Sequence, residues 1–334
     1  MTFCGSSFGK GPAFRTGLVV LLSVIAPALA IAATHRASYA APLRFGHLYL
    51  AQGADIVGRV YRYPLRADGF PSKNPDGVLN LPFRYPGGIA IGPDGDLYVS
   101  SSGTANGCKN ESKCFVEVFA PGASGNAVPI RILYVPAQPQ YIAVDQDGYL
   151  DVSVLRGPGV YVYAPGASGN DRPVKEIASG ADALAASHGV AYIQTSDAVV
   201  GVPEHASGQP TTFLYPPGEG PSSNGVATDW EQLYAAYYAP FRPNGYQFYL
   251  AVGEYRLDRP GRPFRVVKGS GCRVSAEGGA LGYGLAAYKH YLFEQCIDAG
   301  GPAGAVLVYD AEKVGWQAPL LELPGGNGGV AVGP

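Results

Sequence analysis

The strongest constraint on this chain is a stretch that it contains twice. Val116-Glu117-Val118-Phe119-Ala120-Pro121-Gly122-Ala123-Ser124-Gly125-Asn126 returns as Val160-Tyr161-Val162-Tyr163-Ala164-Pro165-Gly166-Ala167-Ser168-Gly169-Asn170, 44 residues later. A fixed period of this size marks stacked or radial copies of one supersecondary unit. The front half of each copy alternates, with Val116 and Val118, or Val160 and Val162, on one face, as a half-buried strand does. The back half is turn chemistry, because Pro presets φ while Gly and Asn tolerate positive φ.

A second periodic element lies between the copies. Gly88-Ile89-Ala90-Ile91-Gly92-Pro93-Asp94-Gly95-Asp96-Leu97-Tyr98-Val99 reads as a strand, a tight Asp-Gly turn and a second strand, and Tyr141–Val152 repeats it. Weaker copies begin at Ala183, Gly225 and Gly284. Each is followed by a third strand (Val116–Phe119, Val160–Tyr163, Val199–Val202, Leu250–Arg256, Ala305–Tyr309). A fourth follows near Ile130–Leu133, Val174–Ile177, Thr212–Leu214, Phe264–Val267 and Leu320–Leu323. Four antiparallel strands in roughly 40–50 residues make one propeller blade.

The two ends fix the number of blades. Residues 47–81 supply three strands (His47–Leu50, Arg59–Tyr63, Val78–Leu81) and lack an inner one, whereas Gly328-Gly329-Val330-Ala331-Val332 matches Gly88-Ile89-Ala90 and has no blade behind it. The C-terminal strand therefore completes the first blade. The expected fold is all-β: a six-bladed β-propeller whose closure removes exposed sheet edges.

Composition agrees. The 47 Gly and 29 Pro would suggest disorder if strand formers were missing, but 23 Tyr and 13 Phe are present. A net charge of −2, with 15% charged residues and no basic stripe, excludes a nucleic-acid surface. At the N-terminus, Lys10 and Arg15 precede an apolar run from Leu18 to Ala32 and Ala-x-Ala-like sites. Residues 1–33 read as a signal peptide, 34–44 as a flexible leader and 45–334 as the propeller. Pro27 and the shortness of the run, against the ~20 residues that cross a bilayer, argue against a membrane span. The expected location is outside the cytoplasm, periplasmic or secreted, with the chain a monomer.

Cys4 leaves with the signal, and the remaining four cysteines read as disulfides in an exported chain. The short Cys108…Cys114 spacing suits a closed loop, which leaves Cys272 to pair with Cys296. Neither pair has the spacing that tetrahedral zinc prefers.

Pro86-Gly87-Gly88-Ile89-Ala90-Ile91-Gly92-Pro93-Asp94-Gly95-Asp96-Leu97-Tyr98-Val99 resembles NHL-type and gluconolactonase (SMP-30)-like six-bladed propellers, and the resemblance spans residues ~45–334. Propellers of this kind bind at the channel mouth, where inner strands begin. Two residues before each Ile-Ala-type pair, those positions are Gly87, Gln140, Asp182, Asn224, Tyr283 and Gly328. Gln140, Asp182, Asn224 and Tyr283 thus form the candidate binding set. The gluconolactonase-like enzymes hold a metal there, and Ser223-Asn224-Gly225-Val226 resembles their Asn-Gly-Leu ligand motif. The resemblance implies Asp182 and Asn224 as ligands of a divalent cation such as calcium, which accepts carboxylate and amide oxygens. The Glu-Gly-Pro ligand of that family is absent, so the preferred expectation is that these groups hydrate the channel.

No two of the five histidines share a ligand-like spacing; His205, which interrupts a degraded copy of the repeated turn, reads as a turn residue. Asp94, Asp145, Asp147 and Asp229 read as hairpin-turn residues. The loops Ser101–Cys114, Ala239–Gln247 and Gln295–Gly304 are long and open on the face where inner strands start. The leading functional expectation is a non-catalytic binding propeller for a protein, peptide, glycan or small-molecule ligand. A metal-dependent lactonase and a structural repeat protein of the envelope are the alternatives.

Overall fold

A computed structural model describes residues 46–333 apart from 54–56, 84–85, 102–113, 156, 158, 179, 182, 206–207, 217–219, 230, 242–246, 275–283, 297–303 and 326–327. For 178, 220–224, 238–241, 247–250 and 270–274 it describes the backbone alone.

The chain lays down its blades in order. Strands β1 (His47–Gln52), β2 (Arg59–Pro64) and β3 (Gly77–Asn80) are joined by the last strand, Val330–Gly333, to make blade 1. Blade 2 comprises β4 (Pro86–Ile91), β5 (Leu97–Ser101), β6 (Phe115–Phe119) and β7 (Arg131–Tyr134). Blade 3 comprises β8 (Gln138–Val144), β9 (Leu150–Leu155), β10 (Gly159–Tyr163) and β11 (Lys175–Ala178). Blade 4 comprises β12 (Ala183–Ser187), β13 (Val190–Gln194), β14 (Ala198–Pro203) and β15 (Thr211–Leu214). In blade 5, β16 (Gly220–Thr228), β17 (Gln232–Phe241), β18 (Gln247–Arg256) and β19 (Arg265–Val274) are markedly longer. Blade 6 has β20 (Leu285–Tyr288), β21 (Tyr291–Cys296), β22 (Ala305–Asp310) and β24 (Leu321–Pro324), while β23 (Gly315–Gln317) leaves it to pair in parallel with β19.

Closure follows the expected route. The last strand, β25, pairs antiparallel with β1 from His47↔Gly333 to Leu50↔Val330. The inner strands β4, β8, β12, β16, β20 and β25 pack against one another in that cyclic order.

The hydrophobic core is divided among the six junctions between blades. Leu79, Leu81 and Phe83 of blade 1 meet Ile89, Leu97 and Val99 of blade 2, and Leu48, Leu50 and Tyr63 of blade 1 meet Phe293, Val306 and Val308 of blade 6. A strand alternates between junctions: Ile89 faces blade 1 while Ala90 faces blade 3. Strands are therefore buried on both faces rather than half-buried, and Glu117, between Val116 and Val118, is only 4% exposed.

The duplicated turn has a structural task. Gly122 and Gly166 take φ of 74° and 80°, and Gly125 and Gly169 take 63° and 58°, the left-handed region that a side chain opposes. In that shape Gly125 N–H donates to the Val78 carbonyl and its carbonyl accepts from Asn80 N–H, clipping blade 2 onto the outer strand of blade 1. Gly169 makes the same pair of bonds with Ile132 and Tyr134, clipping blade 3 onto blade 2. The repeat is thus a latch between neighbours.

Candidate functional site

The inner strands begin with a distortion. β4, β8 and β16 lose register with their partners between Pro86 and Ile89, Pro139 and Ile142, and Pro221 and Val226. Proline has no N–H for the ladder, and a bulge next to it turns the intervening residues toward the axis. Gln140 lies within the shift of β8, and the backbone of Asn224 lies within that of β16. Polar side chains on the second strands take up the displaced backbone groups. The Ser100 hydroxyl lies 3.2 Å from the Gly88 carbonyl and 3.3 Å from that of Gln140; Ser153 Oγ accepts from Tyr141 N–H at 3.0 Å. Gln194 accepts from Gly225 N–H through Oε1 and donates to the Ala236 carbonyl through Nε2.

Beyond the mouth the channel is narrow. A Cβ on Gly225 would come within 2.7 Å of Leu285 Cβ, one on Gly284 within 2.7 Å of Val330 Cγ1, and one on Gly329 within 2.6 Å of Ile89 N. Glycine at these points lets one inner strand lie directly against the next. The wall they form is backbone and aliphatic side chain, with Tyr141 the one hydroxyl-bearing residue of the lining.

Of the predicted mouth residues, Gln140 is placed at the start of blade 3 and is half-buried. Gly87 and Gly328 lie at the equivalent starts of blades 2 and 1, where Gly329 N–H donates to the Gly87 carbonyl at 2.8 Å. Asp182 and Tyr283 lie outside the described residues, as does the side chain of Asn224, so ligation by Asp182 and Asn224 is untested. Cys114 and Cys296 are buried; Cys108 and the side chain of Cys272 lie outside the described residues. Cys272 itself is not in a loop. It lies in β19, because Phe248 and Tyr249 extend β18 and pair with Val274 and Arg273. The Ala239–Gln247 loop is likewise shorter than expected, since β17 reaches Phe241 and β18 starts at Gln247.

Charge is buried elsewhere in the ring. Glu294 on β21 lies between Leu285 and Leu307 on the neighbouring strands; it is 2% exposed, its Oε1 has no partner among the described residues, and burial pushes its carboxyl up to about 8. Burial likewise raises Glu117 to about 7. Glu254 is raised by burial despite Arg265 Nη1 at 2.9 Å.

Sequence reading missed one constellation on the rim opposite the mouth, where blades 3 and 4 meet. Asp145 and Asp147 flank Gln146 in the β8–β9 turn, and Glu204 and His205 follow β14. His205 Nε2 lies 2.9 Å from Asp145 Oδ2 and 3.9 Å from Asp147 Oδ2. Asp151 and Glu204 lie behind them, fully buried and 5% exposed, with their carboxyl groups facing each other. Burial raises both, Glu204 to about 7. The turn role expected for Asp145 holds too: its Oδ1 accepts from Asp147 and Tyr149 N–H. The available signal was the degraded repeat, because Glu204-His205 stands where Pro165-Gly166 stands one blade earlier.

No known family profile matches the chain, and no curated protein matches its sequence. Solved structures align with the chain at low similarity. A protein of unknown function from Bacteroides caccae is 11% identical, with a TM-score of 0.43 over 86% of this chain and 99% of that one. A catalytically inactive virginiamycin B lyase from Staphylococcus aureus, with quinupristin, is 13% identical, with a TM-score of 0.37 over 79% and 84%. A chain of the mitotic checkpoint complex is 12% identical, with a TM-score of 0.43 over 84% and 82%.

Proposed function

We propose that this chain is an exported, non-catalytic propeller that binds a protein, peptide or glycan on the face where its inner strands begin. The carrying observation is the glycine-lined axis. A channel in which adjacent inner strands leave no room for a Cβ offers a polar substrate little space and few groups to act on it. Recognition then falls to the rim. The connections from β5 to β6, β17 to β18, β19 to β20 and β21 to β22 all leave the ring on that rim, around Gln140. A rigid scaffold presenting several loops on one face suits a macromolecular partner.

Export rests on the apolar Leu18–Ala32 segment and its Ala-x-Ala sites. Membership of the NHL or gluconolactonase-like propellers is part of the same reading. Among the described residues no helix is long and apolar enough to cross a membrane.

The test is binding of residues 34–334 to peptide and glycan arrays. Gln140→Ala and Asn224→Ala are expected to weaken retention roughly tenfold, about 1.4 kcal/mol, while Arg62→Ala at the opposite rim leaves it unchanged. Calcium-dependent lactone hydrolysis that disappears in Asp182→Ala would overturn the reading in favour of the enzyme.

A further inference from the structure

We propose that His205, Asp145 and Asp147 form a binding site for a divalent metal ion of the zinc type, at the junction of blades 3 and 4 on the rim opposite the channel mouth. The three donor atoms lie within 4.8 Å of one another. Around a tetrahedral ion with bonds of 2.0–2.1 Å, ligand atoms stand about 3.3 Å apart. The observed 2.9 Å and 3.9 Å from His205 to the two carboxylates bracket that value.

Two of the three donors, Asp145 and His205, are held in place from behind. Asp145 accepts two backbone N–H groups on Oδ1, which leaves Oδ2 directed at His205. The imidazole stacks on Tyr149 at 4.0 Å and 21°. Its other side rests on Gly189, φ 71°, where a Cβ would come within 2.9 Å of Cε1. Glu204 N–H donates to the Gly189 carbonyl and fixes the strand end that carries the ring. Outer contacts of this kind orient a metal-binding histidine.

The surroundings point to a cation independently. Asp151 and Glu204, both buried, face each other behind the triad, and both feel the charge of Asp145. Lys175, the cation acting on that pair, donates its Nζ to the Pro203 carbonyl at 2.5 Å. Two carboxylates and one imidazole are donor types that a zinc-type divalent ion accepts. Asp147 is 45% exposed, so the fourth position opens to solvent. The site also falls where the latch turn is rewritten: Glu204-His205 replaces Pro-Gly at this junction. A metal there would tie blade 4 to blade 3.

The test uses the full mature chain, stripped with chelator and titrated with Co²⁺ and then Zn²⁺. The expected result is one Co²⁺ per chain, with the intense visible absorption of a four-coordinate ion, displaced by one Zn²⁺. His205→Gln should abolish the band and Asp147→Asn should weaken affinity roughly tenfold or more. Asp182→Ala should leave both unchanged, which separates this site from any ion at the channel mouth. The Asp147 side chain is nearly half exposed, so Asp147→Asn should keep the wild-type far-ultraviolet dichroism. No band in the wild type, or a band that survives in both triad variants, would overturn the proposal.

Discussion

Glu294 offers a quantitative check on how the ring tolerates charge. Its carboxyl lies between Leu285 and Leu307, 2% exposed, at the junction of blades 5 and 6. Burial moves its pKa from an ordinary 4.5 to about 8. The folded state therefore keeps a proton that the unfolded chain releases above pH 4.5. Stability from this group is fully present below pH 4.5 and is lost as pH rises through about 8. At about 1.4 kcal/mol per pH unit, the loss across that window is about 3–5 kcal/mol. Glu294→Gln keeps the volume and cannot ionise. Any fixed cost of its amide applies at every pH, so the informative quantity is the change in the variant-minus-wild-type difference. Urea unfolding at pH steps from 4 to 9, with disulfides intact, measures it. The variant should gain about 3–5 kcal/mol on wild type between pH 4.5 and 8.5. Glu117 and Glu204 titrate in both proteins and cancel. Parallel stability profiles would refute the idea that this carboxyl is buried neutral.

Removing residues 328–334 deletes β25, its four-residue ladder with β1 and the buried Val330. At about 1 kcal/mol per backbone hydrogen bond and about 2 for the valine, the loss should be several kcal/mol; unchanged thermal unfolding would sink the closure. Peptide mass mapping of the non-reduced chain should find Cys108–Cys114 and Cys272–Cys296. The second of these, once formed, would contribute about 2–4 kcal/mol, and crossed pairs or four free thiols would refute the assignment.

The architecture was legible because its signals are local and repeated. The strand read at Val116–Phe119 is β6, Phe115–Phe119, and the one read at Val174–Ile177 is β11, Lys175–Ala178. The extra length of blade 5 escaped because Pro240 reads as a breaker, although Tyr237, Phe241, Phe248 and Tyr249 around it favour strand and pair across the hairpin. β23 escaped because three residues pairing with another blade leave no periodic trace. Glu117 read as the exposed face of an alternating strand, and it is buried because a propeller blade has a neighbour on both sides. The Asp145–His205 contact joins residues 60 apart on different blades, and no local spacing encodes that distance. The mouth residues were found by aligning inner-strand starts. That method locates positions and not the chemistry they perform.

The pairing of β25 with β1 also sets an order on folding. His47 and Gly333 bond across nearly the whole chain, whereas successive blades join residues about 44 apart. Loop-closure entropy grows as (3/2)RT ln n, so this last contact costs roughly 1–2 kcal/mol more than an ordinary junction. Blades 2 to 6 can each assemble as their own residues become available. The first three strands cannot, and they wait with Leu48 and Leu50 uncovered and the hydrogen-bonding edge of β1 open. The opening segment of the sequence is thus the last to be finished, and an interrupted chain leaves an adhesive edge for another copy to occupy.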